Sequence, residues 1–200
     1  MKIHKKSIKL PGIRNITVSG RIGTGKTTLA NHLAETLGWN VLDGGKIFRK
    51  LTKEMGEHIK NTHKRPDSFD IAYEEKIKKM LQEEEGHIIQ SHLAGFDAQG
   101  INGVYKILVV CRDEEGKDKT SVRVDRLMNR DNMSIKEAKE EVLEREEQNL
   151  VKFKRLYAKN DPTWVYWNVK YYDLIINTFS LNQKEALKNV LMHIGYKGKI

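Results

Sequence analysis

The sequence lacks the features that mark secreted, membrane-spanning and disulfide-bonded proteins. Cys111 is the only cysteine, so no disulfide framework can form. No run approaches the roughly 18 apolar residues that cross a bilayer, and the N-terminal MKIHKKSIKLPG has no apolar core of a secretory signal. The close pairs His58 with His63 and His87 with His92 have no cysteine pair beside them, so no structural metal is indicated. We therefore expect a cytoplasmic protein without membrane contact.

A continuous basic face is also missing, although the chain has a formal net charge of +9. Lysines near the two ends contribute six of these charges: Lys2, Lys5, Lys6, Lys9, Lys197 and Lys199. The internal stretch KEAKEEVLEREEQ is strongly acidic. Because a protein that follows a nucleic acid needs a continuous cationic surface, this distribution argues against nucleic-acid binding. We interpret the terminal lysines as short solvated tails.

Strand and helix patterns alternate along the whole chain, without an internal repeat or a low-complexity linker. The first strand ends at Gly20, and Leu29, Leu33 and Leu37 then recur every fourth residue until Gly38. Five strands are expected near residues 15–19, 39–42, 87–90, 105–111 and 172–178. The alternation predicts an α/β fold of one domain: a three-layer sandwich with a five-stranded parallel sheet and helices on both faces.

Two capping boxes predict where the later helices begin. The sequence SIKE at 134–137 indicates a long helix that runs toward Tyr157. The sequence NQKE at 182–185 opens a last amphipathic helix that ends at Gly195. Both helices follow predicted strands, as right-handed β-α-β units require.

The stretch GRIGTGKTT at residues 20–28 fits the pattern G-x-x-x-x-G-K-[ST] and lies between a strand and a helix, where this motif forms a phosphate-binding loop. Its glycines permit successive N–H groups to point into one concavity, and the helix N-terminus adds partial positive charge. We predict that the phosphates bind to Gly20, Gly23, Thr24, Gly25, Lys26, Thr27 and Thr28. Lys26 would reach the β- and γ-phosphates, and the Thr27 hydroxyl would ligate Mg²⁺.

A phosphate loop alone fits an ATPase, a GTPase or a kinase, and the arginines favour phosphoryl transfer. Arg123, Arg126 and Arg130 are spaced three and four apart in a predicted helix, so their guanidinium groups are expected to share one side and to bind several phosphate oxygens. One well-placed arginine accelerates such a reaction by about 10³ to 10⁵. The alternative is a solvated basic face that pairs with Asp125 and Glu137.

Cations also interrupt the apolar stripe of the long helix. Arg145 and Lys152 both fall on the stripe that includes Val142. A cation that faces inward is costly unless it meets an anion, so we interpret Arg145, and less firmly Lys152, as directed at phosphate. An ion pair of Arg145 with Glu141 or Glu144 is the alternative.

The sequence DGGKIFR at 43–49 follows the second strand, at the edge where open α/β sheets bind ligands. A bidentate guanidinium at Arg49 would fix the phosphate of an acceptor nucleotide. Asp43 and Gly44 would leave room for the sugar of that nucleotide. A capped helix with an exposed arginine explains the same residues without a ligand.

These stretches in this order resemble the cytidylate kinase family, most closely its short archaeal-type branch. The resemblance rests on the loop, DGGKIFR, VRVDRLMNRD, LEREE and YDLIINT, and it spans about residues 14–192. It implies a P-loop NTPase fold and transfer of the γ-phosphoryl group of ATP to CMP or dCMP with Mg²⁺. It further implies an acceptor-binding segment at about 56–85 and a lid at about 112–133, which close over the nucleotides. A monomer that binds only small-molecule nucleotides is expected.

The resemblance also assigns roles to individual arginines. Arg49 would contact the acceptor phosphate, and the lid arginines would be Arg126, Arg130 and Arg145. One place departs from the family, which usually has an acid, a small residue and an arginine before Leu-Ala-Gly, where this chain has Gln90, Ser91 and His92. The acid helps to hold the water shell of Mg²⁺ and the arginine contacts the acceptor, so both roles are open here.

His92 itself has two interpretations: it donates a hydrogen bond to a phosphate or base of the substrate, or it merely closes a turn. Gln90 and His92 also support a second hypothesis, in which a kinase-like protein with weak or no activity reports its nucleotide state to a partner. A third hypothesis, an RNA-associated ATPase that uses the basic tails, is ranked last.

Overall fold

The computed structural model describes residues 7–56 and 62–198, apart from the side chain of His63. Within these residues five parallel strands form one sheet in the order β2-β3-β1-β4-β5. The strands are β1 (Asn15–Gly20), β2 (Asn40–Asp43), β3 (His87–Gln90), β4 (Val104–Val110) and β5 (Leu174–Asn177). The predicted five-stranded parallel sheet is confirmed. Lys2, Lys5, Lys6, Lys199 and residues 57–61 of the predicted acceptor-binding segment lie outside the described residues.

Helices connect the strands. They are α1 (Lys26–Leu37), α2 (Gly44–Glu54), α3 (Asp67–Glu83), α4 (Ala94–Asp97), α5 (Thr120–Asp131), α6 (Ile135–Lys139), α7 (Glu146–Tyr157) and α8 (Gln183–His193). A π-helical segment, Glu140–Arg145, joins α6 to α7, so that residues 135–157 form the predicted long helix. Short 3₁₀ helices lie at Thr62–Lys64 and Val169–Tyr171. None of the described helices is both long enough and apolar enough to cross a membrane.

The sheet is buried between two helical layers. On one face, α1 and α8 pack their apolar side chains against strand residues such as Ile16, Ile88 and Ile107. On the other face, α3 and α4 cover Ile89 and Val104. Because successive side chains of a strand point to opposite faces, neighbours such as Ile88 and Ile89 contribute to different layers. The predicted three-layer α/β sandwich is confirmed.

The two predicted capping boxes are present. The Ser134 hydroxyl accepts from the Glu137 N–H, and the Glu137 carboxylate accepts from the Ser134 N–H. Asn182 and Glu185 make the same reciprocal pair at the start of α8. These bonds satisfy N–H groups that the first turn of a helix leaves unpaired, which fixes where both helices begin.

The ends of β1 and β4 bring the loop after β1 close to the sheet. A Cβ atom added at Gly20, where φ is +151°, would lie 2.3 Å from the Val109 carbonyl oxygen of β4. Only glycine permits this approach. The loop therefore begins directly at the carboxyl edge of the sheet, where β2 and β3 also end.

Candidate active site

The predicted phosphate-binding loop after β1 depends on two further glycines. Gly23 has φ of +77°, and a Cβ atom there would lie 2.6 Å from the Arg123 carbonyl oxygen. Gly25 has φ of +95° and is the N-cap of α1, whose first residue is Lys26. A helix N-terminus preceded by such a loop is a site for anions, because its N–H groups are not used within the helix.

Inside the loop, the Arg21 carbonyl oxygen collects three donors. The Thr24 hydroxyl donates across 2.9 Å and Lys26 Nζ across 3.1 Å. The Thr24 N–H makes a longer contact of 3.5 Å to the same oxygen, so it does not point freely into the concavity. Lys26 is buried, and this burial lowers the pKa of its ammonium group to about 7, although Glu146 acts in the opposite direction. An incoming phosphate would restore the charge of Lys26.

A buried ionic network supports the loop from behind. Glu146 Oε2 accepts from the Ile22 N–H at 3.0 Å and from Arg123 Nη1 at 2.9 Å. Glu146 Oε1 accepts from Arg21 Nε at 2.8 Å. Asp118 adds a second carboxylate to both arginines, 3.2 Å from Arg21 Nη1 and 3.0 Å from Arg123 Nη2.

Arg123 belongs to this network and not to a phosphate site. Its side chain is 0% exposed, and its Nη1 donates to the Ile22 carbonyl oxygen at 2.8 Å. The interpretation that Arg123 joins Arg126 and Arg130 in binding phosphate oxygens is therefore wrong. Arg123 does lie on the same helix as Arg126 and Arg130, as predicted. Its side chain lies beneath the loop, where Glu146 and Asp118 neutralise its charge.

A large cavity of about 800 Å³ opens beside α1, α5 and the segment after β5. Its lining includes the loop residues Gly23, Gly25, Lys26, Thr27 and Thr28, together with Arg126 and Arg130. Residues 178–183 form another wall. The cavity therefore combines the predicted phosphate-binding loop with an adjoining groove.

Arg126 is held at the border of this large cavity. Its Nη1 donates to Thr178 Oγ1 at 2.8 Å and its Nη2 to the Thr178 carbonyl oxygen at 2.7 Å. Thr178 in turn donates from its hydroxyl to the Thr24 carbonyl oxygen at 2.8 Å. Thr178, which follows β5, thus connects the loop to α5. The sequence identified Thr178 only as the last residue of YDLIINT and did not predict this role.

A second cavity of about 190 Å³, here called the acceptor cavity, lies on the other side of the loop. The four residues predicted to bind the acceptor all line it, together with two of the predicted lid arginines: Asp43, Gly44, Arg49 and His92, with Arg130 and Arg145. Gly23, Lys26, Thr27 and Arg130 line both cavities. The two cavities therefore meet at the end of the loop, around the Lys26 ammonium group.

The arginines of the acceptor cavity differ in how they are held. Arg145 is buried and lines the acceptor cavity, so its side chain faces inward as predicted. It also forms an ion pair with Glu141, which was the alternative interpretation. Its Nε atom has no hydrogen-bond partner among the described residues. Arg130 is exposed and pairs with Asp131, which lowers the pKa of that carboxyl group. Arg49 is exposed.

Lys152, the less firm candidate, is used elsewhere. Its Nζ atom lies 2.7 Å from Asp70 Oδ2 and donates to the Arg65 carbonyl oxygen at 2.5 Å. Arg65 Nη2 also donates to Asp70 Oδ1 at 2.6 Å. Lys152 is buried in this cluster and does not line the acceptor cavity, so its interpretation as a phosphate ligand is wrong.

Asp43 has a structural contact as well as a place in the cavity wall. Its Oδ1 accepts from the Lys46 N–H at 3.1 Å, which makes it the N-cap of α2. The predicted capped helix is therefore present, and it directs Asp43 and Gly44 into the acceptor cavity. A Cβ atom at Gly44 would lie 2.5 Å from the Tyr73 hydroxyl oxygen, so this position leaves no space for a side chain.

His92 is bonded into the protein. Its Nδ1 lies 3.2 Å from the Gly20 carbonyl oxygen and 3.2 Å from the Tyr166 hydroxyl oxygen. Burial, and then the charge of Lys26, lower the pKa of the imidazole well below its usual value. His92 is therefore neutral at physiological pH and holds the start of the loop, while it also lines the acceptor cavity.

The residues that sequence reasoning missed are mainly anions. Glu146 lies on the long helix and follows Val142 by four residues, on the same stripe as Arg145. This periodicity was a usable signal, because a carboxylate that faces inward needs a cationic partner as much as a guanidinium group needs an anion. Asp118 had no such signal, since it lies in a loop before α5.

Thr27 is the candidate ligand for a metal ion. It lines both cavities beside Lys26. The described residues contain no group of three or more His, Cys, Asp or Glu side chains that could hold a metal by themselves. This donor set suits Mg²⁺, which usually keeps several water ligands and binds through few protein groups together with the phosphates of its nucleotide.

Comparisons with known proteins identify the family and the fold. The model of the cytidylate kinase-like family matches residues 15–180. The cytidylate kinase of Ignicoccus hospitalis is 30% identical over 88% of this chain and 98% of its own length. The cytidylate kinase of Methanopyrus kandleri is 32% identical over 86% of this chain and 88% of its own. The solved structure of a gluconokinase from Sinorhizobium meliloti shares the fold, with a TM-score of 0.54, 16% identity and coverage of 94% and 93% of the two chains.

Proposed function

Because the chain belongs to the cytidylate kinase-like family, we propose that it transfers the γ-phosphoryl group of ATP to a nucleoside monophosphate, specifically CMP or dCMP. One observation carries this proposal: two cavities meet at Gly23, Lys26, Thr27 and Arg130. A hydrolase needs one nucleotide site and a water molecule, whereas a transferase between two nucleotides needs two adjoining sites. The cytidylate kinase names of the relatives support the choice of base.

In this proposal the large cavity binds ATP. The loop between β1 and α1 holds the β- and γ-phosphates, and Lys26 supplies a positive charge where the two cavities meet. Arg126, fixed by Thr178, lies beside the same phosphates. Mg²⁺, held by the Thr27 hydroxyl and by water, neutralises phosphate charge when it is bound.

The acceptor cavity binds the monophosphate. Arg49, Arg130 and Arg145 bring three guanidinium groups to its wall, and guanidinium groups bind phosphate oxygens bidentately. The acceptor phosphate is already anionic, so no general base is needed. The chain's contribution is to hold both phosphates in line, to neutralise their charge and to exclude water, without a covalent intermediate.

A coupled assay with ATP and a panel of monophosphates tests this function. CMP and dCMP should release ADP at a much higher rate than AMP, GMP or no acceptor. Lys26→Ala and Arg126→Ala should reduce CMP phosphorylation by about 10³-fold or more, because each removes a charge that stabilises the transferring group. Circular dichroism of the variants checks the fold. Unaltered turnover in either variant would remove the assigned role.

Gln90 favours a second candidate function, a nucleotide sensor with weak or no turnover. It replaces the acid that the family usually has at this position, and its Oε1 lacks a hydrogen-bond partner among the described residues. Such a sensor would bind ATP but release negligible ADP with every acceptor in the same panel. A Gln90→Glu variant that gains activity would trace the weakness to this residue.

A further inference from the structure

Glu74 is a buried carboxyl group on α3 that lines the acceptor cavity. The residue is only 3% exposed, and within the described part of the chain its Oε2 atom has no hydrogen-bond partner. A buried polar atom without a partner is costly, and native proteins contain few of them. Glu74 therefore brings to the cavity wall a buried carboxyl group whose hydrogen-bonding capacity the described residues do not fill.

Asp97 on α4 affects the protonation of Glu74 and therefore its hydrogen-bonding capacity. Burial, followed by the negative charge of Asp97, raises the pKa of Glu74 well above its usual value. Asp97 is itself buried, and Lys78 Nζ lies 3.4 Å from its Oδ1. The Glu74 carboxyl group therefore favours its protonated form, with the Asp97 carboxylate beside it. A proton held between them leaves the free oxygen of Glu74 as a hydrogen-bond acceptor.

Another carboxylate on α3 shows the contrast. Asp70 is equally buried, but Arg65 and Lys152 neutralise it at 2.6 Å and 2.7 Å. Glu74 has no such ion pair among the described residues. Of these two buried carboxyl groups on α3, the one that lines the acceptor cavity is the one without an ion pair in the described part of the chain, which argues for a binding role.

Two aromatic rings contribute to the wall of the acceptor cavity. Phe48 and Phe153 both line it. Phe48 packs against Tyr73 with ring centroids 4.7 Å apart, and Phe153 packs near His92 at 6.5 Å, so both rings are fixed by neighbours. Aromatic faces bind nucleobases by stacking, and they do so without distinguishing one base from another. The discrimination must therefore come from a polar group, and Glu74 is a buried polar group in this wall.

We propose that Glu74, backed by Asp97, binds the 4-amino group of a cytosine-type acceptor base and rejects uracil. An amino group has an N–H donor that matches the free oxygen of Glu74. The 4-carbonyl oxygen of uracil would face that oxygen without a hydrogen between them, and a mismatch of this kind is strongly discriminated. This inference rests on the proposed function, because it assumes that the acceptor nucleotide occupies this cavity.

The first test compares the selectivity of three proteins, measured as the ratio of kcat/KM for CMP to kcat/KM for UMP. Glu74→Leu removes the acceptor oxygen and should reduce this ratio by about tenfold or more. Glu74→Gln should retain most of the ratio, because its amide can donate to Asp97 and still present an oxygen to the base. Glu75→Leu changes the exposed neighbour on the same helix and should leave the ratio unaltered. An unchanged ratio in Glu74→Leu would overturn the proposal.

A second test uses the unaltered protein, so that it does not depend on the folding of a variant. Titration calorimetry would compare CMP, UMP and the monophosphate of 2-pyrimidinone riboside, which carries hydrogen in place of the 4-amino group. CMP should bind about tenfold more tightly than either analogue. Equal affinities would overturn the inference even if the protein phosphorylates CMP. If no monophosphate is phosphorylated, the proposed function fails, whereas tighter binding of CMP would still support Glu74 as the base-binding group.

Discussion

The Ile22 N–H donates to Glu146 Oε2 across 3.0 Å, and this bond joins the phosphate-binding loop to the start of α7, 124 residues later in the chain. Glu146 is the residue after Arg145, which lines the acceptor cavity. One buried carboxylate therefore fixes the loop and the backbone that carries a proposed phosphate ligand. Arg21 and Arg123 bind the same carboxylate, so the loop, α5 and α7 are held together by ionic contacts.

Glu146→Gln should destabilise the protein and weaken ATP binding together. The substitution keeps the shape but removes the negative charge, so the buried Arg123 and the partly exposed Arg21 retain only Asp118 as a carboxylate partner. Removal of one member of a buried ion pair typically lowers the free energy of unfolding by about 3 to 5 kcal/mol. Urea denaturation measures the stability, and calorimetry measures ATP affinity.

The matched control for this prediction is Glu147→Gln, at the exposed next position of α7. It removes the same charge from the same helix turn, and its effect on stability should stay within about 0.5 kcal/mol. If Glu146→Gln and Glu147→Gln have equal stability, the network has no energetic role.

Gly23→Ala should abolish ATP binding, because two effects act at this position. The φ of +77° is strained for alanine, and the new Cβ would lie 2.6 Å from the Arg123 carbonyl oxygen. Gly116→Ala is a matched control, since its φ is +79° but no atom lies within 4 Å of the added Cβ. The control should lose only about 1 kcal/mol of stability and keep its ATP affinity. Equal ATP affinities in the two variants would show that the close approach to Arg123 is unimportant.

The sequence predicted the fold well because its signals are local. The glycine pattern of 20–28 and the capping boxes at 134–137 and 182–185 each depend on residues only a few positions apart. The site was predicted less completely. Arg123 and Arg126 share a helix at ordinary spacing, but Arg123 is bound by Glu146 and Arg126 by Thr178.

These partners lie 23 and 52 residues from their arginines. Such long-range pairing depends on how the elements pack, which helical periodicity alone does not determine. The sequence could not predict the unpartnered oxygen of Glu74 for the same reason. An oxygen without a partner can be identified only when the positions of all nearby hydrogen-bond donors are known.

Arg145→Ala should reduce kcat for CMP phosphorylation by about 10³-fold, within the range that a positioned arginine supplies in phosphoryl transfer. Arg145 lines the acceptor cavity beside Glu141, and its Nε atom has no hydrogen-bond partner among the described residues. Arg155→Ala is the control, because Arg155 lies on α7 but pairs with Asp67 at the surface. Steady-state kinetics should show Arg155→Ala close to the unaltered protein. Similar kcat values for the two variants would contradict a phosphate-binding role of Arg145.

The pH dependence of ATP binding should report on Lys26. Burial lowers the pKa of its ammonium group to about 7, so above that pH the side chain is largely neutral before ATP binds. Phosphate charge favours the ammonium form and raises this pKa on binding, so ATP binding takes up a proton and weakens as the pH rises from 7.5 to 9. Calorimetry at pH 8 in buffers of different ionisation enthalpy measures the proton uptake directly.

A Lys26→Arg variant separates this effect from other titrating groups. The guanidinium group stays protonated at every pH in this range, so binding of ATP to the variant should take up no proton, whatever its affinity. Proton uptake that persists in Lys26→Arg would assign the titration to another group. If the unaltered protein takes up no proton, Lys26 is already charged before ATP binds. The carboxylate of Glu146 would then offset the effect of burial on the pKa of Lys26 in full.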